Sequence, residues 1–186
     1  GYNVTFGYSG SFAANPRGLV AAALTSGVVD DDPGDTFAPA GQGVVSIPVV
    51  IPSGTTHARF SLFDANVSPA SDIDVYVFRG TTLAGASAGG TSEEEVNLVN
   101  PVGDTYTVYV HGFAVTGSAN FTLLSWVLGS AAEGNMTVAA SDSAVLGSSG
   151  AINLTFTGLA PATKYLGSVE YTGAAGLPNP TIVRVD

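Results

Sequence analysis

The sequence contains no cysteine in 186 residues. That excludes a disulfide scaffold and any thiolate zinc site. It does not mark the chain as cytosolic, because many exported bacterial proteins also lack cysteine. Positive charge is scarce: Arg17, Arg59, Arg79, Lys164 and Arg184 face 15 acidic residues, for a net charge of -10. Such a field repels phosphate backbones and anionic lipid, which argues against nucleic acid and membrane-surface partners, and it attracts cations. Only 11% of residues are charged, where about 25% is usual. No apolar run approaches the roughly 18 residues of a membrane-spanning helix. No leader-like segment opens the chain, which begins on the strand-like Tyr2-Asn-Val-Thr-Phe6 and reads as a piece of a longer exported precursor.

What is present is β-sheet chemistry. Hydrophobic residues make up 45% of the chain, enough for a real core. Period-2 alternation and β-branched or aromatic runs predict strands at 3–8, 44–51, 58–64, 73–79, 95–99, 105–112 and 120–128. Further strands are expected at 136–140, 151–157, 164–172 and 181–185. Residues 18–26 are ambiguous between helix and strand. Turn signals such as Asp32-Pro-Gly-Asp35 and Ala160-Pro-Ala162 recur about every 8–12 residues, as in antiparallel sandwiches. Pro48 cannot donate to a ladder, so its strand belongs at a sheet edge or a bulge.

Two ordered sets of motifs carry a family resemblance. Ala58-Arg-Phe-Ser-Leu-Phe63, Asp72-Ile-Asp-Val-Tyr-Val-Phe78, the glycine-rich 85–90 and Gly103-Asp-Thr-Tyr-Thr-Val-Tyr-Val110 follow one another. This order resembles the bacterial pre-peptidase C-terminal domain, a jelly roll appended to secreted proteases, over roughly residues 42–128. Leu159-Ala-Pro-Ala-Thr-Lys-Tyr165 resembles the tyrosine corner of fibronectin type III-like sandwiches. Gly7-Tyr-Ser-Gly-Ser-Phe12, Gly18-Leu-Val20, Asp31-Asp-Pro33 and Tyr165-Leu-Gly-Ser-Val-Glu-Tyr171 resemble the region that follows the catalytic domain in secreted subtilisin-like serine proteases.

The resemblance implies an all-β chain with a jelly-roll sandwich and a second, fibronectin type III-like sandwich. The expected organisation is residues 1–40 as N-terminal strands, 41–129 as the jelly roll and 130–186 as fibronectin type III-like strands. Residues 1–40 are candidates to complete the last part, with the jelly roll inserted between them. The implied function is that of a secreted, non-catalytic region which stabilises the enzyme, aids secretion or holds polymeric protein substrate. Its implied partner is the parent's catalytic domain. The alternative is a carbohydrate- or cell-wall-binding module of another exported protein.

No catalytic residue is expected. Gly90-Thr91-Ser92 looks like a subtilisin nucleophile segment, but Glu93-Glu94-Glu95 follows, and carboxylates there disfavour a developing oxyanion. His57 and His111 are isolated in sequence. No cofactor is required, and Ca²⁺ is the one ion the acids suggest. Asp72 and Asp74 share a strand face and could converge with Asp64 or Glu93. Asp30, Asp31, Asp32 and Asp35 form a second candidate set. Tyr76, Tyr109 and Trp126, with Tyr106 and Phe113, are candidates for an aromatic substrate platform, against the plainer role of cross-strand packing.

Overall fold

The computed structural model describes residues 1–178 and 180–186. They divide into two compact units, one of Gly1–Ala22 with Ser130–Asp186 and one of Ala23–Gly129. The chain begins with β1 (Tyr2–Thr5), β2 (Gly10–Ser11) and β3 (Ala13–Ala21). The inserted unit carries β4 (Ala23–Asp30), β5 (Val44–Ile51), β6 (His57–Ser61), β7 (Val67–Ser68) and β8 (Asp72–Arg79). It continues with β9 (Thr82–Ser87), β10 (Glu95–Val99), β11 (Asp104–Ala114) and β12 (Ser118–Leu128). The remainder supplies β13 (Met136–Ala139), β14 (Ser143–Ala144), β15 (Ser149–Phe156), β16 (Tyr165–Thr172) and β17 (Thr181–Val185).

The inserted unit is a jelly roll. One sheet runs β10-β6-β12-β4, with β7 beside β12, and the other runs β5-β11-β8-β9. Strands β4 and β12, β5 and β11, β6 and β10, and β8 and β9 pair antiparallel, as rungs of one long folded hairpin. Curling it adds the β12–β6 and β11–β8 ladders, which closes the two Greek keys. Alternation places Ile73, Val75 and Val77 of β8 and Val108 and Val110 of β11 in the core with Phe60, Leu62, Phe121 and Leu123. Asp72, Asp74, Tyr76 and Phe78 therefore share the outer face. Pro48 lies on edge strand β5, opposite Thr107.

The jelly roll begins earlier than residue 41. β4 pairs with β12 from Ala23↔Ser125 to Asp30↔Ser118, so residues 23–40 belong to this unit and not with the N-terminal strands. The alanine-rich 19–24 segment has local helix propensity, and two ladders override it: β16 holds residues up to Ala21 and β12 holds those from Ala23.

The other unit has sheets β1-β15-β13 and β17-β16-β3, plus the two-stranded β14-β2. This is the B-E-D and C-F-G order of an immunoglobulin-type sandwich, with the jelly roll inserted between its C (β3) and D (β13) strands. β3 pairs with β16 from Ala21↔Tyr165 to Ala13↔Thr172, with one register shift. Leu19, Met136, Tyr165, Val169 and Val183 form one core cluster; Phe6, Phe12, Ala144 and Ile152 form another. At the β15–β16 turn the Ala160 N–H donates to the Tyr165 hydroxyl at 3.0 Å, a tyrosine-corner contact. The jelly roll carries a similar device: the Tyr106 hydroxyl donates to the Val102 carbonyl at 3.1 Å.

Candidate functional site

The outer face of the β5-β11-β8-β9 sheet carries the most chemically organised group of side chains. Antiparallel register sets Tyr109 opposite Tyr76 and His111 opposite Asp74. The segment 31–43 is tied down over this face at one point on β11. Asp32 N–H donates to the Gly112 carbonyl at 2.9 Å, and Gly112 N–H donates to the Gly43 carbonyl at 2.9 Å. Gly43 has φ +62, and a Cβ there would meet the Asp32 nitrogen at 2.7 Å. Glycine satisfies both the left-handed backbone and the close approach.

This segment contributes two side chains. Asp32 is buried; its Oδ1 accepts the Gly34 N–H at 2.9 Å and its Oδ2 the Thr36 N–H at 3.1 Å. The same Oδ2 lies 3.0 Å from His111 Nε2. The hydrogen bond from His111 is the main reason that the Asp32 carboxyl titrates below its ordinary range. Phe37 stacks on Tyr76 with centroids 3.8 Å apart and planes 7° apart, and it meets Tyr109 and His111 edge-on.

His111 is enclosed, 1% exposed, with Nδ1 3.3 Å from Asp74 Oδ2. The Tyr76 hydroxyl donates to that same oxygen at 3.4 Å. Asp74 Oδ1 is buried without a hydrogen-bond partner. Burial pushes the Asp74 carboxyl upward, against the His111 hydrogen bond that lowers it. Burial also raises the Tyr76 hydroxyl, with Asp74 adding to it. Beside these groups opens a cleft of about 150 Å³, bounded by Asp35, Phe37, Asp74, Tyr76, Gly89 and Phe113.

The sequence-derived acids do not gather as one set. Asp74 faces His111 and, through it, Asp32 of the other proposed set. Asp72 borders a separate cleft of about 270 Å³ with Asp64 and Thr91. Burial first, and Asp64 second, raise the Asp72 carboxyl. Glu93 is exposed and accepts the Asp64 N–H at 3.1 Å. Asp31 accepts the Val115 N–H at 2.8 Å, Asp30 lies exposed at the end of β4, and Asp35 stands at the rim of the smaller cleft. Among the described residues no three His, Asp or Glu side chains converge in a metal-holding group.

Of the aromatic candidates, Tyr76 and Tyr109 are adjacent and half-buried on this face. Trp126 is not available to a ligand: it is 1% exposed, and its ring is buried within the fold. Ser92 is fully buried, and its hydroxyl donates to the Ser71 carbonyl at 2.7 Å. Glu94 is buried as well, accepting from the Gly89 N–H at 2.6 Å and from the Ser87 hydroxyl. His57 Nε2 lies 3.0 Å from Asn97 Oδ1, and burial lowers its titration.

Sequence reasoning left out Phe37 and treated His111 as isolated. The available signal was the pairing of two alternating runs, Tyr109-x-His111-x-Phe113 against Asp74-x-Tyr76-x-Phe78, once their register is known.

No protein-family model matches the chain, and no curated protein matches it. Among solved structures, it is similar to the crystal structure of Aeromonas hydrophila PliG, a periplasmic lysozyme inhibitor of g-type lysozyme. Identity is 10% and the TM-score 0.35, over 67% of this chain and 92% of that one. A likeness so distant carries no functional argument.

Proposed function

We propose that this chain is a non-catalytic accessory region of an exported subtilisin-like serine protease, whose jelly roll holds polypeptide substrate near the enzyme. The observation that carries the reading is the outer face of β8 and β11. The two most family-like segments, Asp72–Phe78 and Tyr106–Val110, are neighbouring strands. Their outward side chains form an aromatic and acidic surface braced by Asp32 and His111. Binding there raises the local concentration of substrate and adds no chemical step of its own. The immunoglobulin-type unit, with its Tyr165 corner, serves as the structural frame of the accessory region.

The test has two parts. The gene encoding this chain should specify a subtilisin-type Asp/His/Ser set upstream, and a parent without one sinks the protease assignment. The isolated chain should be retained on immobilised casein, collagen or keratin; passage through all three without retention sinks the substrate role. Retardation in polysaccharide gels, with no retention on protein, would favour a carbohydrate-binding module instead.

A further inference from the structure

We propose that the cleft between Phe37, Tyr76 and Phe113 binds the cationic head group of a lysine or arginine side chain presented by a polypeptide, with Asp74 Oδ1 as its counter-charge. The choice of a polypeptide as carrier rests on the function proposed above. Recognition of the cation rests on the cleft alone.

Three independent features converge. The first is an acceptor without a donor. Asp74 is 2% exposed, its Oδ2 faces His111 and Tyr76, and its Oδ1 has no hydrogen-bond partner. A buried, half-used carboxylate is costly to leave unmatched, and an N–H-bearing cation is the group that satisfies it best. The second is the wall chemistry. The cleft is lined by Phe37, Tyr76 and Phe113; Phe37 and Tyr76 cover one face of each other, and ring faces left open attract ammonium and guanidinium groups. The third is the surrounding charge. Asp35 stands at the rim, and buried Glu94 lies near enough to act on both Asp74 and Tyr76. The one basic side chain lining the cleft among the described residues is His111, already engaged by Asp32 and Asp74.

The same inventory favours an organic cation over a metal ion. Calcium takes about six to eight oxygens, whereas this cleft is lined by two carboxyl side chains, Asp74 and Asp35, among aromatic rings. Its volume of about 150 Å³ suits a small head group whose alkyl stem leaves through the open side. Phe113, 36% exposed, stands at that opening.

The test is an NMR titration of the full chain with Ac-Gly-Lys-Gly-NH2 and Ac-Gly-Arg-Gly-NH2. The Gly89 amide and the Phe37 and Tyr76 ring signals should shift saturably with both peptides and stay put with the norleucine analogue. Asp74→Asn should weaken binding at least about tenfold, the loss of one charge-assisted hydrogen bond. Phe113→Leu should weaken it about threefold through loss of a ring face, and it decides the matter if the Asp74 variant does not fold. Equal binding of the norleucine peptide overturns the proposal in favour of an apolar site. Butylammonium binding as tightly as the peptides overturns the polypeptide assignment, and CaCl2 alone reproducing the shifts overturns the organic cation. Unmoved signals with every probe overturn the site altogether. Retention on casein with an unmoved Gly89 would remove this inference and leave the accessory function standing. Cleft binding of the lysyl peptide without retention on any protein matrix would do the reverse.

Discussion

The imidazole of His111 joins two carboxylates from distant parts of the chain, with Nε2 3.0 Å from Asp32 and Nδ1 3.3 Å from Asp74. Asp32 belongs to the segment that crosses the sheet and Asp74 to the sheet itself. The ring is thus a side-chain fastener between a loop and the strands beneath it, beside the backbone ties at Gly112.

Replacing His111 by alanine removes that fastener and leaves the buried Asp74 carboxyl poorly matched. The expected cost is about 3 kcal/mol, read from urea unfolding midpoints. Segment 31–43 should also become a preferred site of limited proteolysis. An unchanged midpoint and cleavage pattern would show that Phe37 stacking and the hydrogen bonds at Gly112 and Val115 hold the loop without the imidazole.

The two carboxylates should respond to pH in opposite directions. Asp32 titrates lower in the folded chain than its ordinary 3.8, so its contribution is present above that value and lost as pH falls through the folded value. Asp32→Asn should therefore destabilise at neutral pH, with the deficit closing in strong acid. Asp74 titrates higher than 3.8, so its contribution is present below that value and lost as pH rises through the folded one. Relative to wild type, Asp74→Asn should gain stability as pH rises above 3.8. Thermal melts of both variants from acid to neutral pH check the two slopes; parallel slopes would contradict the geometry.

Tyr165→Phe removes the acceptor of the Ala160 N–H, and Tyr106→Phe removes the donor to the Val102 carbonyl. Each should cost about 1 kcal/mol in chemical denaturation. Hydrogen exchange at the Ala160 amide should accelerate in the first variant alone.

Trp126, the single tryptophan, is 1% exposed. Its emission should be blue-shifted and resist acrylamide, and neither protein nor polysaccharide ligands should quench it. Strong quenching in the folded state would place the ring at the surface, contrary to the structure.

The jelly roll's inner face was legible from local pattern, because Ile73, Val75 and Val77 repeat every second residue and a strand has that period. The Tyr165 corner was legible for a similar reason: its contact spans only five residues. The end of β3 and the start of β4 were not, since Leu19–Leu24 favours helix locally and only β16 and β12, far later in the chain, make it strand. β9 hid in a glycine-rich stretch. Gly85 is there because a Cβ would meet the Val96 side chain at 2.7 Å. The site eluded pattern reading most fully. Its three polar members lie 79 and 37 residues apart, and Phe37 sits beside a segment whose acids suggested a calcium set and not a ring stacked on the sheet. Trp126 follows the plainer of the two readings open to it: at 1% exposure it serves packing and not a platform.

The insertion between β3 and β13 sets an order of events for the chain as it folds. Partners in β3 and β16 are separated by the entire jelly roll, so pairing them directly would mean closing a very long loop. The β4–β12 ladder, with Ala23 opposite Ser125, brings the two ends of the inserted segment together first. Once it has formed, the outer strands see a short tether where an unstructured chain had been. The jelly roll thereby serves as a folding template for a sandwich whose sequence it interrupts, and a lesion in its core should delay the pairing of β3 with β16.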